Sequence, residues 1–432
     1  MSDALRVGIA GLGTVGAGVL KLLAENADRV AARAGRPIQV VAVSARDRKK
    51  KRGISLKGIK WHDDALALAD DPKVDVVVEL IGGSDGLARK LFDRAVTNGR
   101  AVVTANKALL AHHGVALLGR AEDLGVPVGF EAAVAGGIPI LKALREGLAG
   151  NNLSRVYGIL NGTCNYILTE MRRTGRDFAD VLAEAQALGY AEADPSFDVD
   201  GIDAAHKLSI LASLAFNTPI DFKSVRIEGI RKVSAVDIAY AEEFGLRIKL
   251  LAVATRTEHG LEQTVQPSLV PVGTPIAHVD GVFNAVVAEG DFVGRAMFEG
   301  RGAGAGPTAS AVVADLIDLA AGRYGPPLGV PVGELRKLPA APMKRHVGRT
   351  YMRLSVLDQP GVLASVSAIL RDLDVSIESL VQRGRATKAN EPVAVVIITH
   401  EAEEAAVAKA AERIGKLKFA TEPPHLMRIE QL

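Results

Sequence analysis

Short apolar segments alternate with helix-forming segments over the first third of the chain. The apolar runs at Leu5–Ala10, Ile38–Ser44, Val74–Ile81 and Ala101–Thr104 have the length of buried strands, and helix-like stretches such as Ala17–Asn26 lie between them. Strands that alternate with helices are joined by parallel crossovers. The pattern therefore predicts an α/β protein that begins with a Rossmann-type, doubly wound parallel sheet.

The pattern changes near Glu131, where glycine-rich turns precede longer helices and strands, and it changes again after a Gly/Pro cluster at 324–331. The last part of the chain has its own order of elements. Strands are predicted at Met352–Leu357, Val375–Arg383, Val393–Thr399 and Leu426–Ile429, and helices from about 361 to Asp372 and at Glu403–Ile414. This βαββαβ order is ferredoxin-like.

Composition narrows the class of protein. The 432 residues are 48% hydrophobic and 4% aromatic, and 52 Lys and Arg against 50 Asp and Glu leave a net charge of +2. Such a balance gives no field of the kind that a dedicated nucleic-acid binder needs. The single Cys164 fits a reducing compartment. The start of the chain lacks the pattern of a signal peptide, and no apolar run reaches the roughly 18 residues of a membrane span. We therefore predict a cytoplasmic protein without a nucleic-acid or membrane partner.

A glycine-rich turn follows the first strand. Its residues are Gly11, Leu12, Gly13, Thr14, Val15 and Gly16, and a helical stretch comes next. In such a motif the first glycine permits a tight turn, the second lets the backbone approach a pyrophosphate, and the third allows close packing of helix on strand. The strand before it and the helix after it favour dinucleotide binding over a structural turn.

The end of the second strand bears on the choice of dinucleotide. Arg46 stands about where an acidic residue would bind the ribose of NAD, and basic residues follow at 48–52. An arginine there accommodates the 2′-phosphate of NADP. NADP is therefore favoured over NAD, although Asp47 adjoins Arg46 and a solvated charged loop explains Lys49–Arg52 equally well.

Two lysines are candidates for chemistry. Lys107 follows Thr104 at the carboxyl end of a predicted strand, where open α/β sheets bind ligands. Lys207 lies four residues after Asp203 on a predicted helix, so both face one side, and Asp200 is expected to join them. A surface ion pair is the alternative. The density of carboxylates before the helix argues against it, and a calcium loop does not fit their spacing. The carboxylates are Glu192, Asp194, Asp198 and Asp200.

The residues around Lys207 resemble the signature of homoserine dehydrogenases. The shared positions are Ala185, Gly189, Asp194–Pro195, Asp198, Gly201, Asp203 and Lys207, and the likeness extends to Asn161–Tyr166, Glu131–Pro139, Asn106–Lys107 and Gly302–Gly306. It covers about residues 5–320. Members of this family interconvert aspartate 4-semialdehyde and homoserine with NAD(P)H on the route to threonine and methionine.

The resemblance implies a role for each matching position. Lys207 and Asp203 match a catalytic pair, Lys107 matches a second lysine beside nicotinamide and substrate, and Glu192 matches the group that binds the substrate ammonium. Asp198 and Asp200 are expected beside the substrate, and Gly304 in a loop near the cofactor. Glu131 with the carbonyls of Val134, Gly136 and Ile138 matches a site for a monovalent cation, usually sodium.

Other reactive side chains are expected to be structural. Cys164 is interpreted as a buried or turn residue, because a plain carbonyl reduction needs no thiol. His112–His113 and Trp61–Asp64 contain possible zinc ligands, but they lack further His or Cys at ligand spacing.

The entry Asp358-Gln359-Pro360-Gly361-Val362-Leu363 resembles that of ACT domains, which bind amino acids, commonly between paired copies. The resemblance implies a regulatory domain with threonine as the expected effector. A dimerisation module without a ligand is the alternative. Length and this module favour a dimer or tetramer.

These patterns together predict a nucleotide-binding domain, a catalytic and dimerisation domain, a linker and an ACT domain. The predicted bounds are 1–130 plus about 305–330, 131–304, 331–348 and 349–432. Two other functions stay open. One is an NAD(P) oxidoreductase acting on a different small amino-acid-derived aldehyde or hydroxy acid, and the other is a non-catalytic regulator that senses nucleotide and amino acid.

Overall fold

Strands and helices alternate from the first residues of the computed structural model, which describes residues 3–383 and 391–432. Residues 1–2 of the predicted nucleotide domain and 384–390 of the predicted ACT domain lie outside the described residues. The helices are α1 (Thr14–Glu25), α2 (Ala27–Ala34), α3 (Leu66–Asp70), α4 (Leu87–Thr97), α5 (Lys107–Asp123), α6 (Ile140–Lys142), α7 (Gly162–Thr174), α8 (Phe178–Ala187), α9 (Ser196–Val199), α10 (Ile202–Phe216), α11 (Ala235–Glu243), α12 (Ala305–Ala320), α13 (Val362–Asp372) and α14 (Glu404–Gly415). The strands are β1 (Leu5–Ala10), β2 (Ile38–Ser44), β3 (Lys60–His62), β4 (Val76–Glu79), β5 (Ala101–Thr104), β6 (Val128–Gly129), β7 (Leu153–Ile159), β8 (Arg226–Ile227), β9 (Leu246–Thr257), β10 (Gly260–Pro271), β11 (Phe283–Gly290), β12 (Gly294–Arg301), β13 (Val347–Leu357), β14 (Ile377–Gln382), β15 (Pro392–Thr399), β16 (Ala402–Glu403) and β17 (His425–Ile429).

The first six strands form one parallel sheet in the order β3-β2-β1-β4-β5-β6. This is the doubly wound arrangement predicted from the sequence, with its topological switch between β1 and β4. Val76, Val77 and Val78 of β4 are at most 1% exposed because helices cover both faces of the sheet. Full burial of each valine contributes about 1.5 kcal/mol or more.

Helix α12 returns to this first sheet after the second domain. Its buried residues Ala309, Val312 and Leu316 belong to the same apolar cluster as Val19 and Leu23 of α1. The two helices approach closely because Gly18 has no side chain; a Cβ there would lie 2.6 Å from the carbonyl oxygen of Ala305. The chain therefore leaves the nucleotide-binding domain and later completes it.

The second sheet has eleven strands and joins two predicted domains. Its main path is β12-β11-β7-β9-β10-β17-β13-β15-β14, with β8 on β10 and β16 on β13. Strands β13, β14, β15 and β17 form the ferredoxin-like unit predicted at the end of the chain. Its strand β17 pairs in parallel with β10, at Ser268–Arg428 and Leu269–Ile429, so the ACT sheet continues the sheet of the middle domain.

The predicted linker is also attached to this sheet. The amide of Leu261 donates to the carbonyl of Pro339 at 2.8 Å, and the amide of Ala341 donates to the carbonyl of Leu261 at 3.0 Å. Periodicity did not indicate this pairing, because the segment is rich in proline and short of apolar alternation. Over residues 3–383 and 391–432 we find no helix with the length and apolar character to cross a membrane.

Candidate active site

The glycine turn between β1 and α1 leaves room for a phosphate. Gly11 has φ +102°, and a Cβ there would meet the Leu80 carbonyl oxygen at 2.5 Å; a Cβ on Gly16 would meet the Gly11 carbonyl oxygen at 2.1 Å. A Cβ on Gly13 would meet nothing within 4 Å. Leu12 completes the turn, and Thr14 and Val15 begin α1, whose first amide groups point towards the open space. A side chain at Gly11 or Gly16 would thus clash with the backbone, whereas Gly13 borders open space where a pyrophosphate fits.

A buried carboxylate that the sequence analysis missed holds the neighbouring loops. Glu79 ends β4 with no exposed surface, and its Oε1 accepts from the amides of Ile81 at 2.7 Å and Gly82 at 3.1 Å. Its Oε2 accepts from the Thr104 hydroxyl at 2.7 Å, and that hydroxyl oxygen accepts from the Asn106 amide at 3.0 Å. Glu79 therefore joins the loops that follow β4 and β5, and it fixes the start of α5, where Lys107 stands.

The three predicted catalytic residues meet at one carboxylate. Lys207 Nζ lies 2.8 Å from Asp203 Oδ2, and Lys107 Nζ lies 3.1 Å from Asp203 Oδ1. Lys207 and Asp203 come from α10, a helix that is almost entirely buried, whereas Lys107 comes from α5 of the nucleotide domain. The cluster therefore bridges the two domains at the carboxyl edge of the first sheet.

The end of β7 completes this cluster. The Leu160 carbonyl accepts from Lys207 Nζ at 2.7 Å, and Asn161 Nδ2 donates to Asp203 Oδ2 at 2.9 Å and to Asp198 Oδ1 at 2.8 Å. Asn161 also caps α7 by accepting from the Cys164 amide at 2.8 Å. The resemblance included Asn161, but nothing in the local sequence showed that its amide links two carboxylates.

The charges of this cluster move the pKa values of its acids in opposite directions. Burial alone would raise the pKa of Asp203, but the charges of Lys207 and Lys107 hold it well below its usual range. The Asp203 charge in turn raises the pKa of Lys107. Burial and the same Asp203 charge raise the pKa of Asp198. Asp203 is therefore an ionised anchor for two ammonium groups, and such divergent pKa values are typical of functional sites.

A cavity of about 660 Å³ opens beside the cluster between the two domains. Its walls include Gly83, Asn106, Lys107, His112, Phe197 and His206. The Lys107 side chain is 33% exposed and the Lys207 side chain 9%. Lys107 thus belongs to the cavity wall, and Lys207 is the more enclosed of the two lysines.

His206 was not singled out from the sequence. It is 3% exposed and packs against Phe222, with ring centroids 4.4 Å apart, and against His112 at 5.1 Å. Burial and the neighbouring His112 lower the pKa of His206 to about 4. Its ring is therefore neutral at physiological pH and adds no positive charge beside the two lysines.

Two predicted substrate residues lie away from the cluster. The expectation that Asp200 shares the face of Asp203 is wrong: Asp200 pairs with Arg231, whose Nη2 lies 3.2 Å from its Oδ2. The helix begins only after Gly201, which has φ +85°, so helical spacing does not extend back to Asp200. Glu192 is exposed in the loop before α9, and its side chain makes no hydrogen bond within the described residues.

The basic segment after β2 lies against the glycine turn. Arg46 is exposed, two residues beyond the end of β2. Arg52 Nε donates to the Leu12 carbonyl at 3.0 Å, and the guanidinium groups of Arg48 and Arg52 each lie 5.8 Å from the centre of the Trp61 ring. The segment is thus partly attached to the domain.

The loop predicted to hold a cation packs beneath α12. Both carboxylate oxygens of buried Glu131 accept backbone amides of α6, from Leu141 at 3.0 Å and Lys142 at 2.9 Å. Burial and the nearby charge of Asp315 raise the pKa of Glu131 to about 7. The carbonyls of Val134 and Gly136 accept no hydrogen bond from the described residues, whereas that of Ile138 accepts from Ile140 at 2.7 Å. Gly304, with φ +117°, caps α12 on the same side.

The remaining reactive side chains are engaged elsewhere. Cys164 is a free, fully buried cysteine, as predicted, and burial raises the pKa of its thiol well above the usual value. His113 pairs with Asp85 at 2.9 Å, and His62 pairs with Asp71 at 2.9 Å. Among the described residues, no three His, Cys, Asp or Glu side chains are grouped to hold a metal ion.

Comparison with known proteins gives three matches to family profiles, which together cover most of the chain. The profile described as homoserine dehydrogenase, NAD-binding domain, matches residues 11–131; that described as homoserine dehydrogenase matches 139–317; and that of the ACT domain matches 350–418.

Individual relatives agree with these profiles. The homoserine dehydrogenase of Pseudomonas aeruginosa is 47% identical over 434 residues, and the match covers 99% of each chain. The crystal structure of a homoserine dehydrogenase from Thiobacillus denitrificans has a TM-score of 0.93 at 46% identity and 99% coverage of each chain. A hyperthermophilic archaeal homoserine dehydrogenase in complex with NADPH has a TM-score of 0.63 at 26% identity, covering 75% of this chain and 99% of that one.

Proposed function

The chain belongs to the homoserine dehydrogenase family, and from this premise we propose that its cluster of Asp203, Lys207 and Lys107 reduces L-aspartate 4-semialdehyde to L-homoserine. The observation that carries the proposal is the meeting of two lysines from different domains at one buried carboxylate, beside a cavity that the loops after β4 and β5 also line. The two alternative functions are not favoured by any contact in this cleft.

The residues of the cluster have separate tasks. When bound, a reduced nicotinamide supplies the hydride that the carbonyl carbon receives. Lys207 Nζ has three donor hydrogens; Leu160 and Asp203 accept two of them, so one remains for the substrate oxygen. An ammonium aimed at that oxygen stabilises the developing negative charge and donates the proton. Asp203 holds Lys207 in place.

Lys107 and Glu192 are assigned to the charged ends of the substrate. Within the described residues the ionic partner of Lys107 Nζ is Asp203, and the Phe197 ring centre lies 5.9 Å away; Lys107 lines the cavity, so it has hydrogens left for a carboxylate. Exposed Glu192 supplies an opposite charge for the ammonium after movement of its loop.

The test is the oxidation of NADPH and NADH with aspartate semialdehyde, followed by absorbance. We expect turnover in the wild type and a loss in Lys107→Ala that appears mainly as a raised KM for the semialdehyde. Lys232→Ala, an exposed lysine 75% accessible to solvent, is the matched control. Tight NADPH binding without turnover would favour a non-catalytic regulator.

We propose NADP as the preferred coenzyme, held at its 2′-phosphate by Arg46. The position of Arg46 after β2 supports this, as does the attachment of Arg52 beside the glycine turn. An archaeal relative was solved with NADPH. Arg46→Ala should raise the KM for NADPH about tenfold, the size expected for one charged contact, and leave that for NADH unchanged. Equal effects on both coenzymes would contradict the assignment; Lys50→Ala serves as control.

A monovalent cation, sodium, is proposed at the loop of Glu131. The unpaired carbonyls of Val134 and Gly136, beside two buried carboxylates at Glu131 and Asp315, are oxygen donors that suit a hard cation. Sodium chloride should raise the thermal midpoint above that in choline chloride of equal ionic strength. The difference should shrink in Glu131→Gln, and an identical midpoint in both salts would exclude the site.

Feedback control is proposed through the ACT domain, with L-threonine as effector. The continuous sheet from β14 to β12 supports this, since it connects the ACT unit to β7 and so to Leu160. Threonine at millimolar concentration should inhibit the full-length chain. We also propose a dimer or tetramer, which light scattering of the purified protein measures.

A further inference from the structure

Glu79 is a buried carboxylate that forms no ion pair within the described residues. Its side chain has no exposed surface, and its partners are three uncharged donors, the amides of Ile81 and Gly82 and the hydroxyl of Thr104. A buried carboxylate is costly unless hydrogen bonds satisfy it, and an apolar side chain would fill the same space without that cost. All three donors lie at the carboxyl edge of the first sheet. The residue therefore serves that edge and not the packing of the sheet core.

Thr104 connects Glu79 to the start of α5. Its hydroxyl donates to Glu79 Oε2 at 2.7 Å, and its oxygen accepts from the Asn106 amide at 3.0 Å. Asn106 Oδ1 accepts from the Leu109 amide at 3.0 Å as the N-cap of α5, and its Nδ2 donates to the Gly83 carbonyl at 2.8 Å. Because Gly83 directly follows the amides that Glu79 holds, these bonds close a ring around the carboxyl ends of β4 and β5.

The ring borders the cavity beside the catalytic cluster. The loop residues 82–83 line this cavity together with Asn106 and Lys107. Glu79 and Thr104 do not line it and have no exposed surface. Both glycines of the loop have positive φ, +84° and +85°, a conformation that glycine adopts without strain but that no side chain of the loop itself holds in place. The ring therefore supplies the fixation that the loop lacks.

The position of Lys107 depends on the same ring. Lys107 is the first residue of α5 and directly follows the N-cap Asn106, so its backbone is fixed where the ring is fixed. Its side chain reaches from the nucleotide domain to Asp203 of the middle domain, with Nζ 3.1 Å from Oδ1. The ammonium is a point charge on a flexible stem, and a displacement of about 1 Å is enough to lose a productive geometry. A fixed start of α5 is therefore needed for Lys107 to act at one place.

We propose that Glu79 and Thr104 are positioning residues for the reduction: together with Asn106 they hold the base of Lys107, and through Lys107 they fix the place of the substrate carboxylate. Neither side chain touches substrate or coenzyme, because both are fully buried. The proposal rests on the proposed function, in which Lys107 binds the substrate, and it assigns two further residues to that task. The alternative is a purely structural role that stabilises the sheet edge alone.

The experiment uses the full-length protein and measures steady-state turnover of aspartate semialdehyde with NADPH, its pH dependence and thermal unfolding. Thr104→Val removes the hydroxyl and keeps the shape, and Thr104→Ser keeps the hydroxyl. Glu79→Gln keeps the shape but replaces one acceptor oxygen by a nitrogen that donates. Thr399→Val is the matched control, because Thr399 is also unexposed at the end of a strand, β15, and its hydroxyl oxygen accepts from the Thr350 amide at 3.1 Å.

Thr104→Val and Glu79→Gln should each raise the KM for the semialdehyde about tenfold or more, and Thr104→Ser should restore it to near the wild-type value. In both variants the alkaline limb of kcat/KM should move to lower pH, because Lys107 then lies farther from Asp203 and Asp198, whose charges raise its pKa. In a Lys107→Ala background, Thr104→Val should change KM by less than about threefold, since its effect acts through that lysine. Thr399→Val should leave KM and the pH profile unchanged.

A wild-type KM and an unmoved alkaline limb in folded Thr104→Val would overturn the proposal, even if kcat and the thermal midpoint fell, because a purely structural role lowers the amount of active protein and not its affinity. An equal rise in KM with and without Lys107 would overturn it as well. If Thr104→Val does not fold, Glu79→Gln decides by the same two measurements. These results leave the reductase assignment intact, whereas a wild type that does not turn over the semialdehyde would remove the proposed function and this proposal with it.

Discussion

Asp203 and Asp237 are both buried aspartates, and each holds a cation from a distant part of the chain, Lys107 and Arg353 respectively. Asp203 is 4% exposed and joins Lys207 to Lys107 across two domains. Asp237 has no exposed surface; it lies at the start of α11 and accepts from Tyr351 at 2.9 Å and Arg353 at 2.7 Å, both on β13 of the ACT unit. Burial alone would raise the pKa of either acid, yet Lys207 and Lys107 hold the pKa of Asp203, and His425 and Arg353 that of Asp237, well below the usual range.

The two sites differ in the kind of cation that the aspartate holds and in their access to a cavity. Lysine ammonium groups exchange a proton with a substrate, whereas an arginine guanidinium stays charged and acts as a planar fork. Asp203 adjoins an open cavity through Lys107, whose side chain is 33% exposed, whereas the side chains of Arg353 and His425 beside Asp237 are 17% and 10% exposed. A buried ion pair by itself therefore does not identify an active site in this protein. The kind of cation and its access to a cavity separate the reactive cluster from the structural one.

The largest expected effect tests the reactive half of this comparison. Lys207→Ala should lower kcat by about 100- to 10,000-fold, because it removes a donor that stabilises the transition state. Calorimetric affinity for NADPH should stay as in the wild type, and Lys232→Ala should leave kcat unaltered. A kcat within threefold of the wild type would place Asp203 and Asp237 in the same structural class.

Asp203→Asn should reduce kcat by about 100-fold and shift the pH profile. The Asp203 charge is the main cause of the raised pKa of Lys107, so its loss moves the alkaline limb of kcat/KM, which Lys107 sets through substrate binding, to lower pH. The dependence of stability on acid should change as well. The depressed pKa of Asp203 stabilises the folded wild type above the unfolded-state pKa of about 3.9, and this contribution is lost as the pH falls towards the folded-state pKa. Kinetics across pH and acid unfolding measure both. Exposed Asp194→Asn is the control, and an unmoved alkaline limb would disprove the coupling.

Removal of Asp237, the structural acid, should lower the free energy of unfolding and leave kcat unchanged. Asp237→Ala leaves Arg353 and Tyr351 without their buried partner, which costs about 3 kcal/mol of unfolding free energy. Denaturant unfolding measures this loss, and kcat at a temperature where the variant is folded should remain normal. Exposed Asp123→Ala should change neither quantity. A large fall in kcat without a loss of stability would mean that Asp237 acts on the active site.

An exchange of cations distinguishes the two sites, and the smallest effect of all is expected beside Asp237. Arg353→Lys keeps the charge but loses the planar fork, and we expect a loss of about 1 kcal/mol in unfolding free energy. Lys207→Arg keeps the charge at the reactive site and should still lose most of kcat, since a guanidinium does not donate its proton. Arg371→Lys, at a side chain that is 77% exposed, is the control for the exchange. Equal kcat in Lys207→Arg and the wild type would show that charge alone is needed.

Local sequence determined the elements and the spacing of their functional groups. Apolar runs of strand length, the glycine turn and the separation of four residues between Asp203 and Lys207 depend on neighbouring residues only, because backbone hydrogen bonding and side-chain periodicity are local. These features predicted the parallel sheet, the ferredoxin-like unit and the pairing of Asp203 with Lys207, all of which the structure shows. Helical periodicity placed Asp200 wrongly, because α10 begins at Ile202 and Gly201, which is not helical, separates Asp200 from it.

Tertiary structure alone decided which distant groups share one space. Glu79 meets Thr104 across 25 positions, Asn161 meets Asp203 across 42, and Arg155 meets Glu430 across 275. The pairing of β17 with β10, which merges two predicted domains into one sheet, is of the same kind. Such contacts form when folding brings buried polar groups to distant partners, and the local sequence around a residue does not specify which distant residue that partner is.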